Sequence, residues 1–264
     1  MSNVFKEIEK EIRDTKVVIL AGGSGKRMNI DMPKALLELS ENYTLLDKEI
    51  DLYFSCGFRN FIFLLGKYAD QIIDHLEKRN YRDKINYEIC IDPKTSNWGK
   101  GKALKYAYEV GILKRERIMI SFPDDLKLDN FLPIKLLLTH LEVRKRYDIL
   151  GTIVLTNGFE FPFGVAKVEN NFIIDFIEKP LMNVFVSIGM YLLEKEVIDL
   201  IDEYIDLNEL KSIEFEDIIL PKLSKERKLY SLFVSHDIWL PINDMKSYEK
   251  AKNLYKKIIN EVGV

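Results

Sequence analysis

The chain has 264 residues, of which 47% are apolar, and a net charge of −3. It can bury a sizeable core, as one large domain or two small ones. The balanced charge, with no long basic run, argues against nucleic acid as the main partner. Cys56 and Cys90 belong to no CxxC or Cys/His cluster, so neither a zinc site nor a disulfide framework is indicated. The start, "MSNVFKEIEKEIRDT", is too charged for a signal peptide, and no apolar run reaches the length of a membrane span. A cytoplasmic protein without a membrane partner is expected.

Val4, Phe5, Ile8 and Ile12 share one helical face and predict a leading helix over 3–13. The chain then alternates. "KVVILA" (16–21) reads as a buried strand, 45–56 as a helix ended by Gly57, "NFIFLLG" (60–66) as a strand and 68–79 as a helix. "NYEICID" (86–92) is a strand, 100–110 a helix ended by Gly111, and "RIMISF" (117–122) a strand. Continuous apolar strands between amphipathic helices indicate parallel βαβ units with helices on both faces of the sheet. The second half is more mixed. "DILGTIVL" (148–155) is a strand, and "FGVAKVENNFIIDFIEKP" (163–180) a hairpin turning at Asn170-Asn171. A strand near 184–192, helices near 194–205 and 214–223, a strand near 229–234 and a closing helix from about Ser247 follow. In that last helix Tyr248, Ala251, Tyr255, Ile258 and Ile259 face inward. No linker or repeat is visible, and one α/β domain with a mixed sheet is expected.

"VVILAGGSGKRMNIDMPKALLEL" (17–39) carries the first chemical signal. A P-loop needs Gly five residues before its Gly-Lys pair and Ser or Thr after it; Leu20 and Arg27 stand in those places. A dinucleotide fingerprint would need a third glycine where Met28 stands. A plain tight turn needs neither Arg nor Lys. What remains is a backbone nest for phosphate oxygens, where glycines let N–H groups converge, Arg27 forks onto phosphate and Lys34 adds a second charge. Further on, "ISFPDDL" (120–126) ends a strand with two carboxylates, at the edge where open α/β sheets bind ligands.

"LAGGSGKRM" followed by "PKALLEL" resembles the N-terminal signature of the nucleotidyltransferases that join a nucleoside triphosphate to a sugar 1-phosphate, L-A-[AG]-G-x-G-x-R-[LM] and then P-K. The resemblance implies a Rossmann-like (GT-A-like) α/β domain. Its mixed, mostly parallel sheet would have helices on both faces and a β-hairpin in the second half. It places Ala21, Gly22, Gly23, Ser24, Gly25 and Lys26 around the nucleotide, with Arg27 and Lys34 as catalytic cations on the triphosphate. Asp124 maps onto the family's metal-binding aspartate, so Mg²⁺ is the implied cofactor. "NWGKGKAL" (97–104) resembles the G-T-[AG]-x-A-[LV] loop near base and sugar; Gly99 and Ala103 match, and Lys100 stands where Thr is usual.

The hairpin resembles Y-G-V-V…E-K-P. This implies Phe163-Gly164 along the sugar, Glu178 accepting from sugar hydroxyls, and Lys179 on the phosphate of the attacking substrate. "VSIGMYLL" (186–193) resembles N-A-G-I-Y, with Gly189 and Tyr191 kept and Ser187 in place of the asparagine. "WLPINDMKSYEKA" (239–251) resembles W-x-D-I-G-T-P-E-D-Y-x-x-A, with Trp239, Ile242, Tyr248 and Ala251 in register. The family's second metal aspartate then falls on Pro241. Asp244, three residues on, is taken as a helper ligand, and Asp237, four before, is the other carboxylate nearby.

These features imply one nucleotidyltransferase domain. It comprises a leading helix (1–14), a nucleotide-binding half (15–147) and a sugar-binding half (148–264). A nucleoside monophosphate would pass from the triphosphate to a sugar 1-phosphate with release of pyrophosphate. Homo-oligomerisation stays open. Two rivals stand beside this reading. The first is a cytidylyltransferase for a phosphocholine-like or other phosphomonoester, favoured by the short Arg27-to-Lys34 gap. The second is a non-catalytic homologue that binds nucleotide or sugar phosphate, favoured by Pro241. Because the chain stops soon after the final helix, no appended β-helix acetyltransferase domain is expected.

Overall fold

A computed structural model describes residues 3–23, 28, 30–93 and 98–262. The leading helix α1 (Asn3–Arg13) runs into strand β1 (Thr15–Leu20). The short strands β2 (Glu38–Ser40) and β3 (Tyr43–Thr44) precede helix α2 (Leu45–Ser55). Thr44 starts α2 through a capping box: its hydroxyl accepts from the Asp47 N–H while the Asp47 carboxylate accepts from the Thr44 N–H. Then come β4 (Asn60–Leu65), α3 (Ala69–Lys78), β5 (Asn86–Ile91), α4 (Lys100–Glu109) and β6 (Arg117–Ser121). A short β7 (Asp125–Lys127) leads into α5 (Leu132–Arg144), a helix absent from the sequence-based expectation.

The second half holds β8 (Gly151–Glu160), the hairpin β9 (Val165–Glu169) and β10 (Phe172–Ile177), and the long β11 (Leu181–Leu193). It closes with α6 (Lys195–Tyr204), α7 (Phe215–Lys225), β12 (Leu229–Val234), β13 (Trp239–Pro241) and α8 (Met245–Val262). The hairpin turns where expected: Asn170 and Asn171 both take positive φ, 46° and 67°. Two successive left-handed residues make the tight turn whose twist matches the flanking strands.

The central sheet has seven strands in the order β12-β8-β11-β6-β1-β4-β5. Neighbours pair in parallel except β11, which runs antiparallel to both β6 and β8. Alternate residues of each buried strand feed opposite faces. Val17, Ile19, Phe61 and Phe63 pack with α2, α3 and α5; Val18, Leu20, Ile62 and Leu64 pack with α4, α6 and α7. A third, smaller cluster joins Met28, Leu37, Leu39, Leu126, Ile242, Tyr248 and Ala251, and it seats α8 beside the C-terminal edge of the parallel strands. That edge carries every sequence-predicted nucleotide and metal residue that the structure describes, apart from those on the closing segment 239–244.

Candidate functional site

Strand β6 ends at Ser121, and the chain turns through Phe122-Pro123 to present Asp124 half-exposed at the sheet edge. The short 3₁₀ turn that begins at Lys34 brings that ammonium to 3.5 Å from Asp124 Oδ2 and 3.8 Å from Asp125 Oδ1. The structure therefore joins two residues that the sequence separates by ninety positions.

The adjacent carboxylates have different surroundings. Asp125 is inward: its Oδ2 accepts from the Trp239 indole N–H and its Oδ1 from the Ile242 N–H, both at 3.0 Å. Burial, and then the neighbouring Asp124 charge, push its pKa up to about 6, against the Ile242 bond, Lys34 and Lys127. Asp125 thus ties β7 to β13. Asp124 is the carboxylate left facing outward.

The turn rests on a buried polar base. The Lys127 ammonium donates to Glu49 Oε2 at 3.0 Å and to the Phe122 carbonyl at 2.9 Å, and the Ser121 hydroxyl donates to Glu49. From β11, Gly189 backs onto the Phe122 ring: a Cβ there would lie 2.7 Å from Phe122 Cδ2, and its φ of 73° also favours glycine. Ser187, in place of the expected asparagine, donates to the Tyr191 hydroxyl at 3.1 Å.

The closing segment answers for Pro241 and Asp244. Pro241 pairs opposite Asp125 in the β13–β7 ladder. Asp244 is exposed, and its Oδ1 accepts from the backbone N–H and the hydroxyl of Ser247, both at 2.7 Å. It caps the first turn of α8, and those bonds hold its carboxyl below the usual range. Asp237 bonds the adjacent Ser235 and His236.

On the other flank, β1 delivers Ala21, whose N–H donates to Leu64 O at 2.9 Å, and then Gly22 and Gly23. Gly22 packs against Gly66: a Cβ on Gly66 would meet the Gly22 carbonyl oxygen at 2.7 Å. Gly23 faces open space. Ser24, Gly25, Lys26 and Arg27 lie outside the described residues. Gly99 begins α4 with φ 83°, and a Cβ there would lie 2.4 Å from Ile213 O, so packing alone demands glycine. Lys100 lies over the Phe122 ring, 4.7 Å from its centroid, and is held by Glu216 and Glu214.

The hairpin arm springs from β8 and β11 beyond the same edge. Glu178 and Lys179 are exposed on it, and Lys179 takes φ 48°. Gly164 lies under the Phe176 ring and Glu178, where a Cβ would meet Phe176 Cζ at 2.3 Å and Glu178 Oε2 at 2.9 Å. The acceptor roles of Gly164, Glu178 and Lys179 rest on the resemblance.

Among the described residues no three His, Cys, Asp or Glu side chains converge on one point. A site of one outward carboxylate still fits Mg²⁺, which takes one or two carboxylates and completes its shell with substrate phosphates and water.

The family model for nucleotidyl transferases matches residues 16–258, and the chain belongs to that family. Mannose-1-phosphate guanyltransferase 2 of Candida glabrata is 28% identical over 249 residues, 91% of this chain and 64% of that protein. The glucose-1-phosphate adenylyltransferase of Enterobacter sp. (strain 638) is 24% identical over 271 residues, 90% of this chain and 62% of that protein. The chain thus spans slightly less than two thirds of the length of these relatives. Two solved structures share the fold. A Bacillus anthracis protein assigned as a glucose-1-phosphate thymidylyltransferase, in complex with sucrose, superposes with TM-score 0.69 at 20% identity, covering 91% of this chain and 95% of that one. A UDP-glucose pyrophosphorylase complexed with UDP-glucose gives 0.65 at 18%, covering 92% and 98%.

Proposed function

We propose that the chain transfers a nucleoside monophosphate from a nucleoside triphosphate to a sugar 1-phosphate. The observation that carries this reading is the Lys34–Asp124 pair, set at the C-terminal edge of the sheet beside the glycine loop after β1. The names of the two relatives described above, both sugar-1-phosphate nucleotidyltransferases, support it.

In the reaction a phosphate oxygen of the sugar 1-phosphate forms a bond to the α-phosphorus. The bond from that phosphorus to the bridging oxygen breaks, and pyrophosphate leaves with the electron pair. The nucleophile is already ionised, so positioning and charge neutralisation do the catalytic work. Lys34 supplies one fixed charge, and Arg27 a second from the glycine loop. Lys179 supplies a third to the acceptor phosphate, and Glu178 accepts from the sugar hydroxyls. Asp124 would hold Mg²⁺, which supplies charge neutralisation to phosphate oxygens when bound.

The test is pyrophosphate release by the purified protein with GTP, ATP, UTP, CTP and dTTP, each against mannose 1-phosphate, glucose 1-phosphate and phosphocholine. Turnover with a sugar 1-phosphate supports the reading. Turnover with phosphocholine alone would move the acceptor class. Nucleotide binding without turnover would fit the non-catalytic alternative, for which Pro241 opposite Asp125 is the motivating feature.

A further inference from the structure

Every residue of β9 and β10 is exposed, so the hairpin arm is left out of the core of its own domain. A two-stranded hairpin is marginal in water by itself. The two faces of the arm differ. Ile173 pairs opposite Val168 and Phe176 opposite Ala166, and directly opposed residues share a face. All four are apolar. The register slip between Ile173 and Asp175 is what keeps Phe176 on the same side as Ile173. The other face carries Lys167 opposite Asp175, with Glu169 3.6 Å from Lys167. A ribbon with one apolar and one charged face has the pattern of a strand pair covered on its apolar side. Val168, Ile173 and Phe176 are instead 58%, 65% and 59% exposed. Phe163, Leu181 and Phe185 extend the exposed apolar surface to the root of the arm. At about 100 Å² apiece, these six side chains present on the order of 600 Å², as much as the largest apolar patch of an ordinary monomer.

We propose that the apolar face of the arm is the contact between two copies of this chain, related by a two-fold axis. A standard interface buries about 800 Å² per partner, somewhat over half of it apolar, so the area suffices for a stable dimer. A two-fold contact sets a patch against itself and must be self-complementary. A face without charge meets its own copy with no like-charge repulsion, while Lys167, Glu169 and Asp175 stay on the wet side. Other occupants fit less well. An anionic lipid surface or a nucleic acid calls for Lys or Arg on the docking face, and Ala166, Val168, Ile173 and Phe176 supply neither. Covering the arm would also steady the strand whose end leads into Glu178 and Lys179. Self-association of this kind is independent of the transferase reading.

Sedimentation velocity of the full chain, between about 1 and 100 µM, tests this. Wild type should run as a dimer, at twice the 30.9 kDa of one chain. Ile173→Lys places an unpaired ammonium in the contact and should weaken the dimer by about a hundred-fold or more. The position is exposed in the single chain, so the fold should be spared. Val168→Thr with Ile173→Thr keeps the β-branched shape that suits a strand and removes apolar surface, and should weaken the dimer by about ten-fold. If Ile173→Lys misfolds by circular dichroism, the double variant decides. Wild type that stays monomeric at the highest concentration overturns the proposal. So does a dimer that both variants leave intact, which would put the contact on another face. A monomer that floats with vesicles of phosphatidylcholine and phosphatidylserine would overturn it too, and give the face to lipid.

Discussion

The ammonium of Lys127 lies 3.0 Å from Glu49 Oε2, and both side chains are almost wholly buried beneath the strand end that carries Asp124. Two charges removed from water hold each other only while both are present. Lys127→Met should therefore destabilise the fold by about 3–5 kcal/mol, since it strands the Glu49 carboxylate. Lys127→Met with Glu49→Leu should recover most of that loss. Urea unfolding of the three proteins checks it, and a double variant as unstable as the single one would refute the account.

Lys34 and Asp124 meet at the sheet edge, Asp124 half-exposed and the Lys34 side chain only 16% exposed. Lys34→Ala should lower turnover by about 10²–10³, the loss typical of one missing charge contact in the transition state. Asp124→Asn should nearly abolish turnover. Asp124→Asn should leave the thermal midpoint nearly unchanged. Steady-state kinetics together with a melting curve separate this from a merely structural role.

Gly189 supports Phe122 from β11, and Phe122 precedes the Asp124 turn by two residues. Gly189→Ala pushes a methyl into that ring and forces an unfavourable φ on alanine. The turn that presents Asp124 should shift. We expect kcat to fall at least ten-fold, with nucleotide affinity changed much less. An unchanged kcat would show that the contact does not reach the reacting centre.

Acid should weaken the protein from the opposite edge of the sheet. Glu194 accepts from His140 at 2.9 Å, Arg117 at 2.7 Å and Arg144 at 2.8 Å. Burial raises its pKa, but these donors outweigh burial and hold it at about 2. Burial pushes His140 below its ordinary value, against the pull of Glu194. A carboxylate with a depressed pKa stabilises above its unfolded value near 4.5 and loses that as pH falls. A histidine held neutral adds a loss in the same direction, starting below about pH 6.5. Stability should fall from pH 7 to pH 3, with about 2–3 kcal/mol due to Glu194 alone. Asp92 has the opposite sign, because its raised pKa makes the charged form costly above pH 7. Asp92→Asn should be more stable than wild type at pH 8, by about 2–4 kcal/mol, and equal to it near pH 4. Denaturant titrations at three pH values check both signs.

Much of this architecture is legible in the sequence because its signals are local. Apolar runs set off by amphipathic helices give β1, α2, β4, α3 and β5. Asn170-Asn171 between alternating strands gives the hairpin, and Asp124 stands out at a strand end. Helix α5 is not legible: Leu136, Leu137 and Leu138 follow one another and leave no clear apolar stripe. The inward role of Asp125 depends on Trp239 and Ile242, more than a hundred residues away. Nothing in "PDD" says which carboxylate turns outward. Asp92 reads simply as the polar end of a strand, and only three-dimensional packing shows that its Oδ1 is buried.

Strand β11 can also be considered as a mechanical part. Its thirteen residues span about 40 Å. One end emerges at the exposed hairpin arm; the other runs straight into Glu194, clamped by three basic side chains. Between them the β8–β11 register slips twice, between Met182 and Phe185 and again between Ser187 and Tyr191. The strand is therefore anchored at its root and bulged twice along its length. The second bulge contains Gly189, which sits against Phe122. A bend at that bulge would thus bear on the turn that carries Asp124.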